Sequence, residues 1–144
     1  MREVATEIDI GAPPERVWDL LTDFESFPEW NPFLREAEGE RTVGSQLTVR
    51  IAPPGGKAMT FRPKVIAVEP NRELRWLGRV VIPGLADGEH IFSLEPIGEG
   101  RTRFVHREEF RGPLWAAMKG TLKRTEEGFN AMNAALKSRA EAGA

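Results

Sequence analysis

The apolar positions along this chain change period twice. Val4, Thr6, Ile8 and Ile10 alternate with Ala5, Glu7 and Asp9, the period-two pattern of a half-buried strand. Gly11-Ala12-Pro13-Pro14 stops it, and Pro14 suits the first turn of a helix whose Val17, Trp18 and Leu21 recur at helical spacing through Asp23. Phe24 to Phe33, broken by Pro28 and Pro32, predicts a second short helical turn or a structured loop. Period two then returns. Strands are expected over Leu34–Glu40, Ser45–Ala52, Met59–Glu69, Glu73–Val81, Glu89–Leu94 and Phe104–Phe110. Turn signals separate them: Pro53-Pro54-Gly55-Gly56, Pro70-Asn71-Arg72, a flexible loop over Pro83–Gly88, and Gly98-Glu99-Gly100. Pro63 inside the Met59–Glu69 segment demands an edge position or a bulge, because proline donates nothing to a ladder.

After Gly112-Pro113 the period becomes helical. Trp115, Met118, Leu122, Thr125, Phe129, Met132 and Leu136 step by three and four. Gly120 and Gly128 interrupt this helix and imply either a close approach to the sheet or a bend. The order is strand, one or two short helices, six strands, one long helix. A curved seven-stranded antiparallel sheet around a long C-terminal helix satisfies it, an α+β architecture. Such a helix does not fill a curved sheet completely, so the space between is either packed solid or a cavity. The pattern predicts one domain over residues 1–140, with 141–144 as a frayed tail.

Composition narrows the function classes. The 144 residues carry a net charge of −2 with both signs mixed throughout, and there is no basic block to hold nucleic acid. There is no cysteine, which excludes disulfides and thiolate metal sites and fits a reducing, cytoplasmic setting. Tyrosine is absent too. No apolar run approaches the roughly 20 residues of a membrane helix, so no integral membrane contact is expected.

The candidate chemistry lies on two neighbouring strands. Alternate residues share a face, so one face holds His90, Phe92 and Leu94 and its neighbour holds Phe104, His106, Glu108 and Phe110. These are the chain's two histidines, and both fall among aromatics. A hairpin turn centred on Glu99 sets His90 opposite Glu108 and Phe92 opposite His106. A His–Glu pair in an apolar pocket can serve as a general acid/base unit; it can equally be a buried polar pair that holds register or orients a ligand. His90, His106 and Glu108 also make a conceivable metal-ligand set, but alternate strand positions are the ordinary spacing of any face and no metal is expected. No cofactor motif is present: phosphate loops, nucleophile elbows and paired-histidine zinc helices are all missing.

A second constellation is Trp30-Asn31-Pro32-Phe33, in which Asn31 either presents an amide to a ligand or bonds its own backbone in a tight turn, the commoner use. A third is apolar: Val49, Met59, Phe61, Trp76, Phe92, Phe110, Trp115, Met118 and Leu122 form either a pocket wall or core, whereas Phe129, Met132 and Leu136 read as core. Arg62, Lys64, Arg75, Arg79, Arg101, Arg103, Arg107 and Arg111 fall on the opposite strand faces and read as solvated surface.

Several segments resemble the START-like superfamily, also called helix-grip or SRPBCC (polyketide cyclase/dehydrase and lipid transport). They are Ala12-Pro13-Pro14-Glu15-Arg16-Val17-Trp18-Asp19-Leu20-Leu21-Thr22-Asp23 with Phe27-Pro28-Glu29-Trp30-Asn31-Pro32-Phe33, then Arg72-Glu73-Leu74-Arg75-Trp76 with Pro83-Gly84-Leu85. Gly88-Glu89-His90-Ile91-Phe92 and Leu94-Glu95-Pro96 follow, then Thr102-Arg103-Phe104, Glu108-Glu109-Phe110-Arg111-Gly112 and Asn133-Ala134-Ala135-Leu136-Lys137. The likeness runs nearly the whole chain in order. It implies a β-α-α-β6-α helix-grip fold with a deep apolar cavity, and places the Trp30–Phe33 segment near the cavity mouth. Function is less defined by it, because the superfamily hosts carriers, receptors, cyclases and chaperone activators. The leading expectation is binding of a small hydrophobic or amphipathic molecule in the cavity. The alternatives are an aromatase/cyclase-type enzyme in which His90, His106 or Glu108 moves protons, and a chaperone-activator-like interaction module.

Overall fold

The computed structural model describes residues 2–79 and 82–142. Strand β1 (Arg2–Ile10) leads into helix α1 (Pro14–Thr22), a 3₁₀ turn (Phe24–Ser26) and the single-turn helix α2 (Phe27–Trp30). Six expected strands become seven: β2 (Leu34–Glu38), β3 (Thr48–Ile51), β4 (Met59–Phe61), β5 (Lys64–Glu69), β6 (Glu73–Arg79), β7 (Asp87–Gly98) and β8 (Arg101–Arg111). A 3₁₀ turn (Pro113–Ala117) then opens helix α3 (Lys119–Ala142). The helix-grip class is observed, with antiparallel strands and a long C-terminal helix.

The strand count differs from the expectation, and Pro63 is the reason. The segment expected as one strand over Met59–Glu69 is two, in different sheets: the described strands form a five-stranded sheet ordered β1-β8-β7-β6-β5 and a three-stranded sheet ordered β2-β3-β4. At the crossing, Pro63 has no N–H to give, but its carbonyl accepts from Leu47 N at 2.8 Å. The register of β5 on β6 shifts again between Val65 and Ala67. Val80 and Val81, expected to end β6, lie outside the described residues, as do Gly143 and Ala144 of the expected tail. The remaining two residues of that tail, Glu141 and Ala142, are helical and exposed.

Two glycines set how α3 meets the sheets. Gly112 has φ +116°, and a Cβ there would collide with the Leu85 carbonyl oxygen, so only glycine turns the chain from β8 towards α3 at this point. At Gly128 a Cβ would collide with the Phe33 ring, which therefore lies directly on the helix backbone. Phe129 beside it is fully buried and stacks on the His106 ring with centroids 3.8 Å apart. Thus α3 closes over the large sheet through Phe129, Met132 and Leu136, all fully buried. No described helix is long and apolar enough to cross a membrane.

The outer face of the large sheet is an ion-pair ladder. Arg107 pairs with Glu3 and Glu109, Arg111 with Glu109 and Glu89, and Arg75 with Glu89 and Glu73. Glu109 lies directly opposite both Glu89 and Glu3, a like-charge pairing that alone disfavours this register, and the arginines on diagonal and same-strand positions offset it. The exposed arginine faces are thus largely satisfied from within the sheet.

Candidate functional site

A cavity of about 310 Å³ opens between the two sheets and the first turns of α3. Its apolar lining comes from Phe33, Val49, Ile51, Met59, Phe61 and Pro63 on one side and Trp76, Phe110 and Trp115 on the other. Polar groups are few: His90, Glu108, Thr121, Thr125, Lys57 and Arg124. Of the residues singled out from sequence, Phe33, Val49, Met59, Phe61, Trp76, His90, Glu108, Phe110 and Trp115 line it. Trp30, Asn31, Phe92, His106, Met118 and Leu122 do not.

The register read from the hairpin is the one found: β7 and β8 pair with His90 opposite Glu108 and Phe92 opposite His106. The bonding does not follow that pairing. His90 Nε2 lies 2.7 Å from His106 Nε2, a diagonal contact, and not on Glu108. His106 Nδ1 lies 2.9 Å from Asn133 Oδ1, and Asn133 Nδ2 donates to Thr6 Oγ1 at 2.9 Å. Thr6 Oγ1 in turn donates to the His106 carbonyl at 2.9 Å. These partners assign the tautomers. Since the Asn133 amide donates to Thr6, its oxygen faces His106, whose Nδ1 therefore carries the proton. His106 Nε2 then accepts, and His90 Nε2 donates to it. His90 Nδ1 is left as a lone-pair acceptor with no partner among the described residues.

Burial keeps both rings neutral. Desolvation pushes the His106 pKa down to about 3, only partly countered by the Asn133 bond. Desolvation, helped by the neighbouring His106, lowers His90 well below the ordinary histidine value. Both rings sit in an aromatic stack: His90 lies 4.4 Å from Phe92 and 5.0 Å from Phe129, centroid to centroid. The chain from His90 ends at a backbone carbonyl. It orients imidazoles and offers no onward path for a proton.

Glu108 is in the opposite condition. Its carboxyl leans over Gly88, where a Cβ would collide with Oε2. No hydrogen bond or charge from the described residues offsets its burial, and its pKa is pushed up to about 8. At neutral pH it is a carboxylic acid facing the cavity, able to donate a hydrogen bond. His90 and Glu108 thus give the cavity one acceptor and one donor. The described residues hold no cluster of three or more histidine, aspartate or glutamate side chains placed for a metal ion.

Asn31 adopts the local option. Its Oδ1 accepts from Phe33 N at 3.0 Å and from Leu34 N at 2.8 Å, closing an Asx turn at the start of β2. Phe92 is packed beneath His90 and Trp76. Lys57, Thr121, Arg124 and Thr125 line the cavity and Asn133 bonds His106, and sequence reasoning singled out none of them for the site. A signal existed for three of them, since Thr121, Arg124 and Thr125 fall at helical spacing on one face just before Gly128.

A family model described as polyketide cyclase / dehydrase and lipid transport matches residues 1–141. Solved structures of similar fold include the Zhui aromatase/cyclase from Streptomyces sp. R1128, at 17% identity and TM-score 0.79 over 97% of this chain and 93% of that one. A START superfamily protein from Mycobacterium smegmatis superposes at 22% identity and TM-score 0.76 over 99% of both chains. A norcoclaurine synthase from Thalictrum does so at 14% identity and TM-score 0.75, over 99% of this chain and 95% of that one. At such identities the likeness carries fold alone. No curated protein sequence matches the chain significantly.

Proposed function

The chain belongs to the polyketide cyclase/dehydrase and lipid transport family, and from that premise we propose that it binds a small apolar or amphipathic molecule in the cavity between the sheets and α3. One observation carries this reading. The space of about 310 Å³ is walled by aromatic and aliphatic side chains, with few polar groups converging on it. That is the make-up of a small-molecule site, apolar for affinity and sparsely polar for orientation. Trp76 and Trp115 both line it, so an occupant alters tryptophan emission. The test is titration with a panel of lipids, sterols and polycyclic aromatics, read by tryptophan fluorescence and melting temperature. A ligand at 100 times its dissociation constant stabilises the fold by about 2.7 kcal/mol. A panel that moves neither reading counts against ligand binding.

A second reading is supported by His90 and Glu108 lining the same cavity, both uncharged at neutral pH. A neutral imidazole with a free acceptor and a carboxylic acid with a proton to give make a base and an acid for proton transfer about a carbonyl. In an aromatase/cyclase-type reaction they would act on a poly-β-keto chain. Here His90→Ala and Glu108→Gln abolish turnover of a poly-β-keto thioester while retaining binding. Unchanged turnover in both variants leaves the cavity as a binding site only.

A further inference from the structure

We propose that the occupant of this cavity is an amphiphile with one anionic headgroup, which Lys57 and Arg124 hold at the opening. The inference rests on the ligand-binding reading above and narrows it to a chemical class: an apolar body with a single carboxylate, sulfonate or phosphate.

The two cations reach the cavity from different elements, Lys57 from the loop between β3 and β4 and Arg124 from the second turn of α3. Both are exposed, whereas His90 at the cavity wall is 2% exposed. The Arg124 stem is braced against the loop: a Cβ on Gly56 would lie 3.3 Å from its Cδ. The aliphatic part thus packs while the guanidinium stays at the rim, the usual disposition of a long cationic side chain.

The charge at the opening supports the same conclusion. Among the described residues, eight of the chain's twenty lysines and arginines have carboxylate partners; Lys57 and Arg124 share the lack of one with other surface cations such as Arg50, Arg62 and Lys123, and are set apart by lining the cavity. Among the described residues neither Lys57 nor Arg124 has a carboxylate within 4.0 Å, although Glu126 and Glu127 lie two and three residues beyond Arg124 on α3. Among the described residues Glu108 is the one acidic side chain lining the cavity, and its proton keeps it from neutralising them. The cavity rim is therefore net positive in a chain whose net charge is −2. A guanidinium fork and an ammonium beside an apolar hollow suit an anionic oxygen group whose attached body is buried.

Two fluorescent probes sharing one skeleton separate the headgroup from the body. 1-Anilinonaphthalene-8-sulfonate carries the anion, and N-phenyl-1-naphthylamine lacks it. Both are titrated into the wild type and into the Lys57→Gln/Arg124→Gln double variant, with melting temperature confirming the fold. The expected result is tighter sulfonate binding in the wild type. The double variant weakens it by about tenfold, as two partly exposed charge-assisted contacts are lost, and leaves the neutral probe within about twofold. If the sulfonate has no advantage, or keeps it in the double variant, the headgroup assignment is overturned and the cavity-binding reading stands. If neither probe binds the wild type, both are overturned.

Discussion

Strands β7 and β8 run through two environments on one face. Towards their hairpin, Phe92, Phe104 and His106 lie in a closed stack capped by Phe129, and every polar atom of His106 is bonded. Towards their open end, Gly88, Glu108 and Phe110 border the cavity, and Glu108 has no partner among the described residues to offset its burial. His90 sits at the boundary, with Nε2 committed to the stack and its ring lining the cavity. The same alternation of residues thus builds core at one end and a site at the other. What separates them is polar satisfaction: a finished network rigidifies, and an unfinished one waits for a ligand.

The largest expected effect comes from opening the closed half. Phe129→Ala removes the ring that stacks on His106 and His90 and meets Phe33 edge to face, and should cost about 3–5 kcal/mol in denaturant unfolding. Met59→Ala, on the cavity side and 52% exposed, should stay within about 0.5 kcal/mol. Equal losses from the two would erase the distinction between core and site.

Next in size is the buried network. Asn133→Ala leaves the His106 Nδ1 proton buried without an acceptor and should cost about 1–3 kcal/mol. The stack should then titrate differently, with the His106 ring resonances showing a shifted pH midpoint by NMR. A loss of stability with unaltered ring titration would mean that Asn133 only fills space.

How much of this was readable beforehand differs between the two halves for a physical reason. Element order and hairpin register follow from periodicity and from Gly98-Glu99-Gly100, and these set which Cα atoms face each other. Which atoms bond depends on rotamers and on what another element brings in. Asn133 reaches His106 from 27 residues away along α3, and Phe129 presses the rings into line. The diagonal His90–His106 contact follows from those two, so strand pairing alone pointed to Glu108. The break at Pro63 was legible as an irregularity, but the change of sheet there depends on how tightly the smaller sheet curls. Lys57 and Arg124 were hidden for a simpler reason, since an exposed cation in sequence looks like surface until its neighbours are known.

pH divides the halves again, in opposite senses. His106 has a folded pKa lowered to about 3 from 6.5, and His90 is lowered well below 6.5. The unfolded chain binds those protons more tightly, so their contribution is fully present above pH 6.5 and declines as pH falls below it, the His106 part being lost through about 3. Glu108 is raised from 4.5 to about 8. Its contribution is fully present below pH 4.5 and is lost as pH rises through about 8. A single proton sets a limiting slope of about 1.4 kcal/mol per pH unit. The wild type should therefore lose about 1–2 kcal/mol between pH 6.5 and 8, and Glu108→Gln should lack that decline while keeping the acid limb. If urea midpoints of the variant and the wild type run parallel across this range, the carboxyl is not held neutral in the cavity.

A substitution with little effect on stability should be the most informative about the open half. Gly88 is extended and takes part in both ladders of β7, opposite Gly78 and Phe110, so alanine is compatible with its backbone. The atom its Cβ would meet is Glu108 Oε2, the far end of a flexible side chain. Gly88→Ala should therefore fold with a change under about 1 kcal/mol, while the carboxyl is driven from its present seat. Its pKa should move from about 8, read from the Glu108 carboxyl carbon shift in a pH titration. Binding of N-phenyl-1-naphthylamine should change with it, because the displaced group has only the cavity or its rim to occupy. A melting temperature, carboxyl pKa and probe affinity that all match the wild type would show that Gly88 does not seat Glu108, and that the open half is less sensitive to shape than its unpaired acid implies.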